Sequence, residues 1–252
     1  MFTEQTAVLH KTLQAHANPE TKAWWENYVK ESAPFIGVRM PLIRSLVHQW
    51  HREHITGRLD LSEQVDLALA LFAGAYTEEK LAGTLFLQEI LLPAGAVNYE
   101  RDIDRFATLF DSGKIYDWNT CDWFCVKVLG PLIQANGLAC ATRIAAWRSA
   151  ENLWRARAAL VAFVKVASER VHYPAIETSC ATLIRRPERF ARTAVGWILR
   201  DISRYDEAFV RAVLEQNIQH FCAESLKNAT KYFPKECQKR YRDMRRHACN
   251  GV

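Results

Sequence analysis

Trp118 and Asp122 lie four residues apart in the run Lys114-Ile115-Tyr116-Asp117-Trp118-Asn119-Thr120-Cys121-Asp122-Trp123. On a helix that spacing sets the carboxylate one turn after the indole, on the same face. The face continues through Val126 and Leu129, so the acid lies on a stripe expected to pack on the core or line a groove. Such an acid is either a capping or salt-bridged structural group or one held in partly dry surroundings for a function. Further along, Arg157 falls in line with Leu153, Leu160 and Val164. Its guanidinium must therefore emerge from an apolar stripe toward Asp122 or a phosphate, either of which suits its planar fork of donors.

A third group lies in Arg192-Thr193-Ala194-Val195-Gly196-Trp197-Ile198-Leu199-Arg200-Asp201-Ile202-Ser203-Arg204. If Val195, Ile198, Leu199 and Ile202 form the buried face, Trp197 turns to the side of Thr193, Arg200 and Arg204. An aromatic flanked by arginines suits stacking and phosphate contact with nucleic acid, although a covered Trp with solvated arginines gives the same pattern. From Lys227 to Arg246, eight cations face only Glu236 and Asp243. The run reads as a phosphate-contacting arm or as a solvated basic helix.

The elements that must position these residues are helical. Asn18-Pro19-Glu20 is a cap followed by Pro at the first helical position, and it opens a helix through Tyr28. Periodic apolar spacing predicts further helices over 41–54, 62–73, 77–92, 99–111, 118–129, 138–148, 152–167, 172–183, 187–204, 206–217 and 234–246. No alternating β-branched run lies between turn signals, so the expected fold is all-α. Helix pairs recur at roughly 35 to 40 residues, the interval of HEAT-like solenoids, though pairs of that length also build compact bundles.

The 252 residues, 49% of them hydrophobic, suffice for a large core, and no Gly/Ser- or Pro-rich linker divides them. One domain, 1–252, is expected. The net charge of +5 is mild, so its distribution matters more than its size. With no signal-like N-terminus and no long uninterrupted apolar run, the reading is a soluble, cytoplasmic chain that does not engage a membrane. Seven scattered cysteines read as reduced thiols. Neither Cys121/Cys125 nor His48/His51/His54 completes a zinc-type ligand set, and no metal, nucleotide or redox cofactor motif is found.

Taken in order, these segments resemble the AlkD-type family of HEAT-like-repeat DNA glycosylases of alkylation repair. The resemblance runs from Asn18-Pro19-Glu20, Tyr28 and Pro34-Phe35-Ile36-Gly37-Val38 through Trp118 to Asp122. It then takes in Trp154-Arg155-Ala156-Arg157-Ala158-Ala159 and Gly196-Trp197-Ile198-Leu199-Arg200. It implies a right-handed superhelical solenoid of antiparallel helix pairs with a concave DNA-binding face. It also implies a catalytic trio of Trp118, Asp122 and Trp197, with Arg157 in the same cleft, Lys165 and Arg200 toward the DNA backbone, and Tyr28 near the DNA. The implied partner is duplex DNA carrying alkylated bases, met by a monomer without a cofactor, nucleoid-associated if the source is bacterial. The implied reaction is hydrolysis of the N-glycosidic bond of a cationic N3- or N7-alkylated purine. Asn119 replaces a commonly acidic residue, and Arg39 and Met40 stand where smaller polar residues are usual. Two other readings stay open: a non-catalytic protein that binds distorted or branched DNA, and a protein-interaction scaffold of the kind solenoids often provide.

Overall fold

The computed structural model describes residues 2–250, with side chains through 248. Among these residues all regular structure is helical. The chain divides into two compact units, Met1–Val128 and Leu129–Val252. The first holds α1 (Thr3–Ala15), α2 (Pro19–Tyr28), α3 (Met40–Trp50), α4 (Leu61–Ala70), α5 (Thr77–Phe86), α6 (Tyr99–Asp111) and α7 (Trp118–Phe124). The second holds α8 (Gly130–Ala145), α9 (Leu153–Val161), α10 (Tyr173–Leu183), α11 (Arg189–Ile202), α12 (Glu207–Asn217), α13 (Ala223–Ala229) and α14 (Lys235–Asn250).

Short polar side chains set many of the helix starts. Asn18 Oδ1 accepts the Thr21 N–H at 2.8 Å ahead of Pro19, and Asp60 and Glu63 form a reciprocal capping box at α4. Asn98, Asp117, Asn152 and Asp206 accept first-turn N–H groups at α6, α7, α9 and α12. Each satisfies a donor that the helix itself leaves open. Helices α3, α5 and α7 run on into wide π-turns at His51–Ile55, Leu87–Leu91 and Cys125–Leu129. Their starts are 36 and 38 residues apart, so the interval visible in the sequence is carried by a recurring backbone feature.

In the first unit Phe124 is fully buried, meeting Phe72, Phe106 and Phe110 edge-on at 5.3–6.0 Å. That core is the inward face of α7, and its burial directs Trp118 and Asp122 outward. In the second unit Val195, Ile198, Leu199 and Ile202 are all fully buried, as the periodicity of α11 predicts. Each such side chain contributes about 1.5–3 kcal/mol. Gly196 lets α11 reach α13, because a Cβ there would lie 2.6 Å from the Ser225 carbonyl oxygen.

The structure departs from the sequence reading in three places. Helix α8 begins at Gly130 rather than Leu138, with Pro131 in its first turn, and bends at Gly137 (φ 60, ψ −143). Helix α1 was not foreseen, since Phe2 offers no side-chain cap. Helix α13 was missed because it is only seven residues long and capped by the weak acceptor Cys222; it ends at Ala229 and holds only Lys227 of the basic run 227–246. By length and composition the stretch Trp118–Ser149 could cross a bilayer, yet half of its apolar window is buried in the protein and Gly137 interrupts it. The six described cysteines are free thiols, and the described residues contain no cluster suited to a metal ion.

Candidate active site and nucleic-acid interface

In the first unit, α7 starts where Asp117 caps it. Asp117 Oδ1 accepts the Thr120 N–H at 2.9 Å, and the side chain is 1% exposed. Burial pushes its carboxyl above the usual range, opposed by the Thr120 bond and by nearby Lys80. Lys80 is itself shifted downward by burial, partly offset by Asp117. Its ammonium donates to the Phe72 and Gly74 carbonyls at 2.8 and 3.0 Å. Because the helix is fixed at this buried end, Trp118 and, one turn on, half-buried Asp122 have a defined position.

Trp118 is one member of an aromatic group. It packs with Trp25 on Val29, Ala33 and Phe35 and meets Tyr28 edge-on at 5.2 Å. Tyr28 in turn stacks on Trp24 at 5.3 Å with planes 7° apart, and both are exposed. Tyr28 and Trp118 are thus brought together. The loop under them is anchored by Glu78, a fully buried carboxylate accepting the N–H groups of Ile36, Gly37 and Val38 at 2.8–3.1 Å. Gly37 has φ +102, and a Cβ there would fall 2.2 Å from the Asn18 carbonyl oxygen. Only glycine satisfies both the conformation and the space. Arg39, exposed, joins Met40, Trp24 and Trp25 around a neighbouring cleft of about 640 Å3. Asn119, where an acid is usual in the resembled family, is 4% exposed.

In the second unit, α9 and α11 bring Arg157, Trp197 and Arg200 together. Arg157 is 5% exposed and donates through Nη1 to the Phe190 carbonyl at 2.7 Å and to Thr193 Oγ1 at 3.2 Å. Within this unit its guanidinium meets a carbonyl and a hydroxyl. Two guanidinium groups lie over the Trp197 ring, with Arg157 Cζ 5.9 Å and Arg200 Cζ 5.8 Å from its centroid. Asp201 locks the arrangement, accepting Trp197 Nε1–H at 2.9 Å on one oxygen and Arg200 Nε–H at 2.7 Å on the other. Lys165 stands apart from this group. It is exposed on the 3-10 turn Ala162–Val166 that follows α9, and its stem lies against Gly130, where a Cβ would approach its Cγ to 2.8 Å.

In the first unit a half-buried indole precedes a carboxylate by one turn, a setting that suits a cationic group; in the second, two guanidinium groups that suit phosphate lie over a half-buried indole. The family model described as DNA alkylation repair enzyme matches residues 9–233. The chain belongs to the DNA alkylation repair enzyme family. Its role is in the repair of alkylation damage, with DNA as the partner. This repair protein also shares its fold with a solved structure described as a predicted DNA alkylation repair enzyme from Enterococcus faecalis. The two are 21% identical with a TM-score of 0.73, over 87% of this chain and 98% of that one. No curated protein matches the alkylation repair chain.

Four supporting residues of this alkylation repair protein escaped the sequence reading: Glu78, Lys80, Asp117 and Asp201. Asp117 carries a visible signal, an acid three residues before Thr120 at a helix start. Asp201 lies four residues after Trp197, the spacing of a side-chain pair on one helix face. Glu78 and Lys80 carry no such signal, since their partners are backbone groups distant in sequence or in a loop.

Proposed function

We propose that the protein is a DNA glycosylase that hydrolyses the N-glycosidic bond of cationic N3- or N7-alkylated purines in duplex DNA. The observation carrying this reading is the half-buried carboxylate of Asp122 one turn from Trp118, on a helix held at its buried end by Asp117. An alkylated purine is already positively charged and departs as a neutral base, so little acid catalysis is needed. The difficult part is the positive charge that develops on the deoxyribose, and a fixed carboxylate in a partly dry setting stabilises it. Water adds to C1′, the electron pair of the C1′–N bond leaves with the base, and the water's proton passes to Asp122 or to solvent.

The other residues divide the remaining work. Trp118, beside the carboxylate in the first unit, presents an electron-rich face to the cationic sugar, and Trp197 offers an indole to the DNA from the second unit. Arg157 and Arg200 carry the guanidinium groups that suit phosphate, Lys165 adds an exposed cation, and Tyr28 extends the aromatic surface of Trp118.

The test is a duplex carrying 7-methylguanine, treated with alkali after incubation to cleave abasic sites. Wild type is expected to release the base. Asp122→Asn is expected to lose about 100-fold or more in rate while still binding the duplex. A wild type that binds the duplex but releases no base would instead be a non-catalytic reader of distorted or branched DNA.

A further inference from the structure

We infer that the second unit carries a lesion-independent track for the duplex phosphate backbone, running from Arg204 and Tyr232 along the outer face of α14. The inference takes DNA as partner, as does the function proposed above, but it does not depend on base release. Helix α14 lies beyond the residues matched by the family model, which end at 233. It buries one face and leaves the other charged: Tyr241 is fully buried, and Cys237, Met244 and Ala248 at the same helical spacing are partly covered. On the opposite side, Lys235, Lys239, Arg242 and Arg246 follow one another at i, i+4, i+7 and i+11, and all four are exposed. That spacing makes a single straight stripe, about 16 Å long at the rise of an α-helix.

The stripe is not neutralised. Arg240, off the stripe, reaches Glu215 at 3.5 Å, and Arg246 meets Asp243 at 3.6 Å. Lys235, Lys239 and Arg242 have no acid partner among the described residues. A solvated face needs no such alignment.

The stripe is also continuous with the arginine-flanked indole. Arg200 lies over Trp197, and Arg204 follows in the turn just after α11. Arg204 lies over the Tyr232 ring at 4.4 Å and bonds its hydroxyl, and Lys231 approaches the same ring at 5.7 Å. Tyr232 is 43% exposed and stands three residues before α14. Helix α13 packs on α11, and α14 packs on α13, so the stripe lies at most about two interhelical spacings, roughly 20 Å, from the helix of Trp197. Three cations in a row without an acid partner among the described residues fit the regular anionic backbone of a duplex.

The test compares full-length wild type with the Lys235→Gln, Lys239→Gln, Arg242→Gln triple variant, using an undamaged 24-base-pair duplex and a salt series. Each phosphate contact contributes about 0.9 to the slope of log affinity against log salt. The variant is expected to lose about 2–3 from that slope, so that its disadvantage shrinks about 40-fold between about 50 and about 200 mM salt. Its single-turnover rate on saturated 7-methylguanine duplex should match wild type. A control removing three cations elsewhere, Lys11→Gln, Arg52→Gln, Arg58→Gln, should change the slope much less. The inference is overturned by an unchanged slope, by an equal change in the control, or by loss of binding to phosphatidylserine vesicles with DNA affinity intact. If wild type releases no base but its DNA affinity depends on the stripe, the track stands and the glycosylase reading falls. If wild type releases base and the stripe has no effect, the reverse holds.

Discussion

Trp197 donates its indole N–H to Asp201 at 2.9 Å, and the other oxygen of that carboxylate holds Arg200. One acid thus fixes both the ring and a cation lying over it. Asp201→Ala should free both groups. We expect a loss of about 1–2 kcal/mol in stability, since each bond is partly solvated, and a several-fold slower excision. Asp201→Asn, which keeps one acceptor, should lose less. Tryptophan fluorescence with and without duplex, alongside urea unfolding, checks this. A Trp197 signal unaltered in Asp201→Ala would show that the ring is held by other contacts.

The proposed division of labour between Asp122 and Trp197 is open to a double-mutant cycle. If both act on the same sugar, Asp122→Asn and Trp197→Ala together should slow excision by much less than the product of the single effects. Strict multiplication of the two would mean that they serve separate steps.

Gly196 lies where α11 meets α13 through backbone. In Gly196→Ala the new methyl would sit 2.6 Å from the Ser225 carbonyl oxygen. Because a backbone carbonyl cannot move aside as a flexible side chain can, the helices must separate, at a cost of about 1–3 kcal/mol. Thermal unfolding should show it, and DNA affinity should fall with it because Trp197 is the adjacent residue.

Asp102 gives the pH dependence. It is fully buried. Burial raises its pKa, but bonds from Arg101, the Asn98 N–H and Arg105 outweigh this and hold it below the ordinary carboxylate value. A group lowered in the folded state contributes stability that is complete above its unfolded pKa and is lost as pH falls through its folded pKa. Asp102→Asn should therefore cost roughly 2–4 kcal/mol at neutral pH. The gap to wild type should narrow as the pH is taken below the usual carboxylate range. Urea midpoints at several pH values decide it, and a gap that persists unchanged into acid would exclude the charge as its origin.

The sequence by itself determined the helical class, the approximate extent of most helices and the face each residue occupies. Those follow from local rules: apolar side chains recur at the helical period, and Asn18 satisfies an open N–H group within its own first turn. It therefore placed Trp118 with Asp122, and Trp197 with Arg200, each pair within one helix. It also saw the basic C-terminal run and a separate helix over 234–246, which is α14, but not the short helix α13 before it. Only the tertiary structure decided which groups from different helices meet. The pairing of Arg157 with the Phe190 carbonyl, the meeting of Tyr28 with Trp118, and the three backbone N–H groups gathered by Glu78 depend on helix packing. Sequence spacing reports the direction a side chain takes from its own helix axis, whereas a contact between helices depends on crossing angle and distance, which the whole core sets.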